Sequence, residues 1–313
     1  MRRYLQLFRI PNVFTAIADV TMGMIFVRHG IEPWAAWLAM IAASALLYTS
    51  GMVLNDVYDF DTDMRERPHR PLPSGQIQLA RARRLGFILL AVGMATGWLV
   101  GFAAAPPTWL AWRSGIIACS LALCIWLYDA VLKGTLVGPL AMGGCRTLNV
   151  LLGMSIGDPL QAPATLLSFP ADQLLVAGAI GVYVVGVTWF SRSEATLSRR
   201  ATLALGMALM VVGLVMLALF PRLAAPGARY SMDPMMIWPF AVMLLMLSTL
   251  RRCAMALQNP RPQRVQAAVR QCLFSLIFLD AGVCLLIAPW TYAVGVLALL
   301  VPTLLLSRWI YST

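Results

Sequence analysis

Leu54 to Gly75 reads LNDVYDFDTDMRERPHRPLPSG, and this polar stretch follows directly on a long apolar run. Between Asn55 and Glu66 it holds Asp56, Asp59, Asp61, Asp63 and Glu66, five of the 13 acidic residues in the chain, with Arg65, Arg67 and Arg70 among and behind them. If the apolar run continues through the motif as one helix, each residue advances about 100°, and Asn55, Asp56, Asp59 and Asp63 share an arc of about 100°. Asp61 then points the opposite way. Clustered carboxylates repel one another unless a cation relieves them. Hard oxygen donors suit Mg2+, which takes one or two carboxylates together with phosphate oxygens and water. Asp56, Asp59 and Asp63 are the expected metal ligands, and with Asn55 they form the expected catalytic set. Arg67 and Arg70 suit the phosphate itself. The competing reading is a solvated turn that carries its charge by chance.

The rest of the composition says where such a motif sits. The chain has 313 residues, is 60% hydrophobic and only 12% charged, and its mean hydropathy is +0.77. A soluble core of that size carries more charge. A spanning helix needs roughly 20 mostly apolar residues, and ten candidate segments are present: 10–28, 34–55, 83–104, 110–131, 137–156, 173–191, 201–220, 235–250, 267–288 and 290–310. The expectation is an all-α, polytopic transmembrane helical bundle forming a single membrane-embedded domain over residues 1–313. The net charge of +11 does not mark a nucleic-acid binder, because the arginines are spread over one set of loops rather than gathered in a patch. With the N-terminus inside, Arg2, Arg3, Arg9, the arginines from Arg65 to Arg84, Arg192, Arg199, Arg200, Arg251, Arg252, Arg261, Arg264, Arg270 and Arg308 all fall on or near the cytoplasmic side. The acidic motif is then expected to face the cytoplasm. The six cysteines lie in or at the ends of apolar segments without CxxC spacing, as small buried hydrophobes do.

Two motifs carry a resemblance. Asn55-Asp56-x-x-Asp59-x-x-x-Asp63 resembles the first aspartate-rich motif of the UbiA-type intramembrane prenyltransferases, and Arg70-Pro71-Leu72-Pro73-Ser74-Gly75 resembles the signature that follows it there. The resemblance implies nine core helices, which makes 290–310 an extra C-terminal segment. It also implies Mg2+-dependent transfer of a prenyl group from an isoprenyl diphosphate to a small acceptor. Tyr128-Asp129-Ala130-Val131-Leu132-Lys133 resembles the family's tyrosine and lysine pattern, which implies that Tyr128 and Lys133 bind substrate. Lys133 is the only lysine in the chain, and its point charge suits a phosphate; an ion pair with Asp129 on a helix end is the alternative.

Other polar residues lie deeper. Asn12 is part of a polar pair expected to enter the cavity at the start of the first span, and Asp19 lies two turns further in. An ionisable residue at that depth is a candidate for function, or else a structural partner for another helix. Arg146 and Asn149, three apart, share a helix face. An arginine buried in lipid is costly, so Arg146 is expected to line a polar cavity with Asn149 or to meet an acid, for which Asp56 and Asp59 are the candidates.

The family pattern fails at Val187-Thr188-Trp189-Phe190-Ser191-Arg192-Ser193-Glu194-Ala195-Thr196. The resemblance implies a second aspartate-rich motif there, and Glu194 is the only acid. The expectation is that Arg192 neutralises diphosphate oxygens while Glu194 serves a remaining cation or the arginine. This stretch resembles the UbiA-like proteins called EboC. Two rivals to prenyl transfer stand beside it: addition of a polar, sugar-like group to a polyprenyl phosphate, and a non-catalytic protein that binds or transports lipid.

Overall fold

Long apolar runs become long helices because a chain in lipid must satisfy its backbone N–H and C=O groups internally. The computed structural model describes residues 2–104, 112–157, 166–192, 199–224 and 230–309. A short α1 (Arg2–Leu7) precedes α2 (Ile10–Arg28) and α3 (Trp34–Tyr58), and a second short helix, α4 (Phe60–Glu66), carries the end of the acidic motif. Then come α5 (Leu79–Ala104), α6 (Arg113–Leu127), α7 (Gly138–Met154), α8 (Ala171–Ser191), α9 (Arg200–Leu219), α10 (Ile237–Gln258) and α11 (Pro262–Ile287). The described chain closes with α12 (Trp290–Ala298) and α13 (Leu300–Trp309).

Among the described residues, 9 helices are long and apolar enough to cross a membrane. That set counts Trp290–Ser307 as one, whereas α7, with 17 residues, falls just short of it. Each of the ten expected segments is therefore helical over most of its length, and the all-α bundle stands. Leu99, Leu123, Phe240 and Leu247 lie exposed on its outside, where lipid would cover them.

Successive helices pack as neighbours in the order α2, α3, α5, α6, α7, α8, α9, α10, α11, and α11 returns to α2. Contacts of α2 with α7 and of α8 with α11 cross the middle of this ring. Small residues permit the closest crossings. A Cβ added to Gly23 would strike the Val150 carbonyl oxygen, and one on Gly153 would strike that of Val20, so α2 and α7 meet backbone to backbone. Between α8 and α9, Cβ atoms on Gly186 and Gly206 would lie 2.6 and 2.8 Å from each other's carbonyl oxygens.

Arg113, at the start of α6, is buried and serves the far end of α7. Its guanidinium donates to the Ser155 carbonyl at 2.6 and 2.8 Å and to that of Gly157 at 2.8 Å, and it lies over the Phe169 ring. Carbonyls left over at a helix C-terminus need such donors, and positive charge is favoured there.

Three local departures from regular helix matter. The expected continuous helix through the acidic motif is broken at Asp59 (φ −83°, ψ 1°), which ends α3 and precedes α4. Backbone bonds from Asp59 to Asn55 and from Asp63 to Asp59 nevertheless keep i, i+4 spacing at 3.0 and 2.8 Å. The side chains keep their register, with Asn55, Asp56 and Asp63 buried and Asp61 exposed. After α6, Tyr128–Leu132 form a π-helical turn, closed by a 2.9 Å bond from the Lys133 N–H to the Tyr128 carbonyl. At the C-terminal end the interruption falls at Leu299, a turn before Pro302. A proline clashes with the carbonyl four residues back and is tolerated in a helix's first turn, so α13 starts just ahead of it.

Candidate active site

The acidic motif, the loop behind it and the π-helical turn converge at one end of the bundle. Asp56 accepts a 2.7 Å ion pair from Arg9 and lies 3.5 Å from Arg70. Arg70 turns mainly to Asp63, at 2.7 Å, while Arg67 lies 3.9 Å from the same carboxylate. Asp59 is paired with Lys133, whose ammonium also donates to the Asn55 side-chain oxygen at 3.1 Å. The Asn55 amide nitrogen donates to Asp129 Oδ1 at 2.9 Å. Asp129 and Lys133 thus do not form the ion pair that their spacing allows. The π-helical turn presents both to Asn55 instead, and such turns often occur at functional sites.

The loop from Arg67 to Ile77 is tied down. Leu72 and Ile77 are buried with Leu7, Val53 and Val57 in a small apolar cluster, and the Ser74 hydroxyl and N–H both bond the Arg70 carbonyl. Gly75 takes φ +71°, a conformation that glycine adopts without strain. Arg70 is held from both sides, by its backbone through Ser74 and by its side chain through Asp63.

Below this head lies a small pocket with a cavity volume of about 60 Å³. Its walls are mostly apolar, from Gly51 and Met52 on α3, Leu121 and Ile125 on α6 and Met142 on α7. Tyr128 and Asp129 line it from the π-helical turn, and Ser44, Tyr48, Arg146 and Asn149 also reach its surface.

Arg146 pairs with Asp19 at 2.6 Å and donates to the Thr15 hydroxyl at 2.6 Å, while its guanidinium stands 5.7 Å from the Tyr48 ring centre. This corrects the expectation of Asp56 or Asp59 as its partner. Those carboxylates are taken by Arg9, Arg70 and Lys133, whereas α2 and α7 cross closely enough to bring Asp19 to Arg146. Asn149 joins the same network, donating to the Ala16 carbonyl at 2.9 Å and to Asp19 at 3.2 Å, and accepting from Ser44 at 2.7 Å.

The remaining expected residues are less central. Asn12 lies half-buried on the first turn of α2, where its carbonyl accepts the Thr15 hydroxyl at 2.8 Å. Arg192 is exposed at the end of α8 and donates to the Thr135 carbonyl at 2.9 Å, bracing the loop that follows Lys133. Glu194 lies outside the described residues. Arg9 was not singled out as a site residue by the sequence reading. Arg9 takes left-handed backbone angles (φ 47°, ψ 46°) between α1 and α2, which turns its side chain to Asp56. Its signal was slight: an arginine two residues before a proline at the mouth of the first span.

Comparison with known proteins places this geometry. Residues 16–269 match the model of the UbiA prenyltransferase family. The chain belongs to the UbiA prenyltransferase family. With its long apolar helices, that membership makes it an integral membrane protein. A digeranylgeranylglyceryl phosphate synthase from Sulfurisphaera tokodaii is 34% identical over 155 residues, which are 49% of this chain and 52% of that protein. The chain spans about half the length of the curated relatives it matches. Among solved structures, a UbiA homolog from Archaeoglobus fulgidus bound to GPP and Mg2+ superposes with a TM-score of 0.66 at 14% identity, over 95% of this chain and 99% of that one. A structure concerned with digeranylgeranylglyceryl phosphate synthase in membranes gives a TM-score of 0.60 at 19% identity, over 95% and 98% of the two chains. At these identities the structural likeness concerns the fold.

Proposed function

We propose that this UbiA family member transfers a prenyl group from an isoprenyl diphosphate to a small acceptor, with Mg2+, at the end of the bundle that faces the cytoplasm. One observation carries the reading: Asp56, Asp59 and Asp63 converge with Arg9, Arg70 and Lys133, and the chain of bonds from Lys133 through Asn55 to Asp129 joins this cluster to the lining of a mostly apolar pocket. A diphosphate needs the first feature and an isoprenyl chain the second. The Archaeoglobus fulgidus homolog that shares the fold binds GPP and Mg2+. The Sulfurisphaera tokodaii relative adds digeranylgeranylglyceryl phosphate synthesis to the same line of support. The cytoplasmic placing rests on the arginine-rich loops that flank the motif.

The donor set fits Mg2+. Among the described residues, no three His, Cys, Asp or Glu side chains form a ready-made cage, but Mg2+ requires none, since it completes its shell with phosphate oxygens and water. Asp56, Asp59 and Asp63 are hard oxygen donors, and each already lies against positive charge. They would hold the metal, with Glu194 as a further candidate. Bound there, Mg2+ would neutralise charge that builds on the leaving diphosphate.

The chain's own residues do the rest. Arg9, Arg67, Arg70 and Lys133 bring preorganised donors to the diphosphate oxygens, and Tyr128 and Asn12 border the approach. Arg192 reaches the same region by way of the loop it braces at Thr135. Leu121, Ile125, Met142 and Met52 receive the prenyl chain and exclude water from the allylic carbon as its bond to oxygen weakens. Asp19 holds Arg146, and Arg146 with Asn149 gives the pocket a fixed polar edge against which an acceptor can orient.

The test is turnover by purified protein in lipid, with Mg2+ and labelled isoprenyl diphosphates, compared with an Asp59→Asn variant. Prenylated product from the wild type and none from the variant is the expected result. Diphosphate binding without turnover in either protein would favour a lipid-binding role instead.

A further inference from the structure

One carboxylate oxygen in the pocket is left without a partner. Asp129 is 7% exposed, lines the pocket, and accepts from Asn55 through Oδ1, while Oδ2 is buried with no hydrogen-bond donor among the described residues. The groups that could reach it are committed elsewhere. Lys133 serves Asp59 and the Asn55 oxygen, and the Asn55 amide nitrogen is used by Oδ1. Buried polar atoms are nearly always paired, so an orphaned acceptor on a residue that lines a pocket calls for a donor. Among the described residues none donates to it, and the pocket that Asp129 lines is where an incoming group would supply the donor.

We propose that Asp129 is the catalytic residue that receives the acceptor, and that the acceptor presents an aliphatic or phenolic hydroxyl to its Oδ2. This rests on the prenyl-transfer reading above and deepens it: the product is a prenyl ether. In the transfer the allylic carbon–oxygen bond breaks with its electron pair leaving on the diphosphate. A lone pair of the acceptor oxygen forms the new carbon–oxygen bond, and the hydroxyl proton passes to Asp129 Oδ2. The proton leaves to water when the products depart.

The place of Asp129 supports this role over a purely structural one. It stands on the π-helical turn beside Tyr128, with Asn55 linking it to Lys133. The side chain that accepts the proton is therefore one amide away from the ammonium that faces the diphosphate. An acid confined to α8 could not be the base within the described residues, because α8 ends on Ser191 and Arg192 and its only acid, Asp172, lies in its first turn at the other end.

The experiment uses the full chain in lipid nanodiscs with Mg2+, geranyl diphosphate as donor, and glycerol, glycerol 1-phosphate and phenol as hydroxyl probes. Asp129→Asn keeps an oxygen for the Asn55 bond and removes only the base, and its thermal melt is compared with wild type. It should bind geranyl diphosphate within about threefold of wild type yet transfer about 10²–10⁴-fold more slowly, the usual weight of a general base. Formate added to Asp129→Ala should restore part of the ether formation, which a structural role would not allow. Wild-type rates in Asp129→Asn, or a loss of diphosphate affinity matching the loss of transfer, would overturn the assignment alone. A wild type that binds geranyl diphosphate but prenylates none of the probes would overturn the prenyl-transfer reading and the assignment with it.

Discussion

The two charged regions of this bundle use the same side chains to opposite ends. At the head, Arg9, Arg67, Arg70 and Lys133 crowd around Asp56, Asp59 and Asp63; Lys133 and Asp59 are 35% and 26% exposed, while Arg70 and Asp63 are 8% and 3% exposed. Deeper in, Arg146 and Asp19 are 10% and 0% exposed and are fastened by Thr15, Asn149 and Ser44. The Lys133–Asp59 pair can separate into water, so it contributes roughly 0–1 kcal/mol, whereas Arg70–Asp63 is about as buried as the deep pair. The deep pair cannot separate in this way, and breaking it strands a charge at a cost of about 3–5 kcal/mol. Charge near the rim is available for exchange with a substrate, and charge in the core is committed to the fold.

The largest expected effect tests the deep half of this contrast. Arg146→Leu leaves Asp19 buried without its cation, and thermal unfolding in a single detergent should show a loss of about 3–5 kcal/mol. An unchanged melt would mean that the deep network is as exchangeable as the head. Next comes Asp59→Asn, at a partly exposed carboxylate, for which product formation should fall about 10²-fold or more while stability moves by no more than about 1 kcal/mol. A parallel loss of both would make the head a structural device. Lys133→Ala removes one charge-assisted contact, so the KM for the diphosphate should rise about tenfold, with little change in the melt. The smallest effect belongs to Arg192→Ala, since this side chain is exposed and braces a loop: a roughly threefold weaker diphosphate affinity by titration, of the order of one exposed contact. Full affinity in that variant would remove Arg192 from the site.

What could be read from the sequence follows the range of the forces involved. The spans were legible because about twenty apolar residues in a row have one stable form in lipid. The register of Asn55, Asp56 and Asp63 was legible because it depends only on helical spacing, which survives the bend at Asp59. The bend itself was not, nor the π-helical turn at Tyr128–Leu132, since each fits side chains to partners on another helix. Arg146 shows the limit most clearly. Its need for a polar partner was evident, but Asp19 lies 127 residues away and is chosen by a glycine crossing that only the packed helices reveal. The i, i+4 spacing left an Asp129–Lys133 ion pair open as an alternative, and the extra residue in the turn sends Asp129 to Asn55 instead.

The ion pairs at the head also bear on how a catalytic cycle would end. Carboxylates fixed on the same chain as the arginines are tethered competitors for any anion, present at a constant effective concentration that dilution does not reduce. Arg70 has Asp63 at 2.7 Å and Asp56 at 3.5 Å waiting for it. A spent diphosphate therefore leaves behind arginines that already have somewhere to go, and its departure strands no positive charge. The site gives up some hold on its substrate and in return does not trap its product.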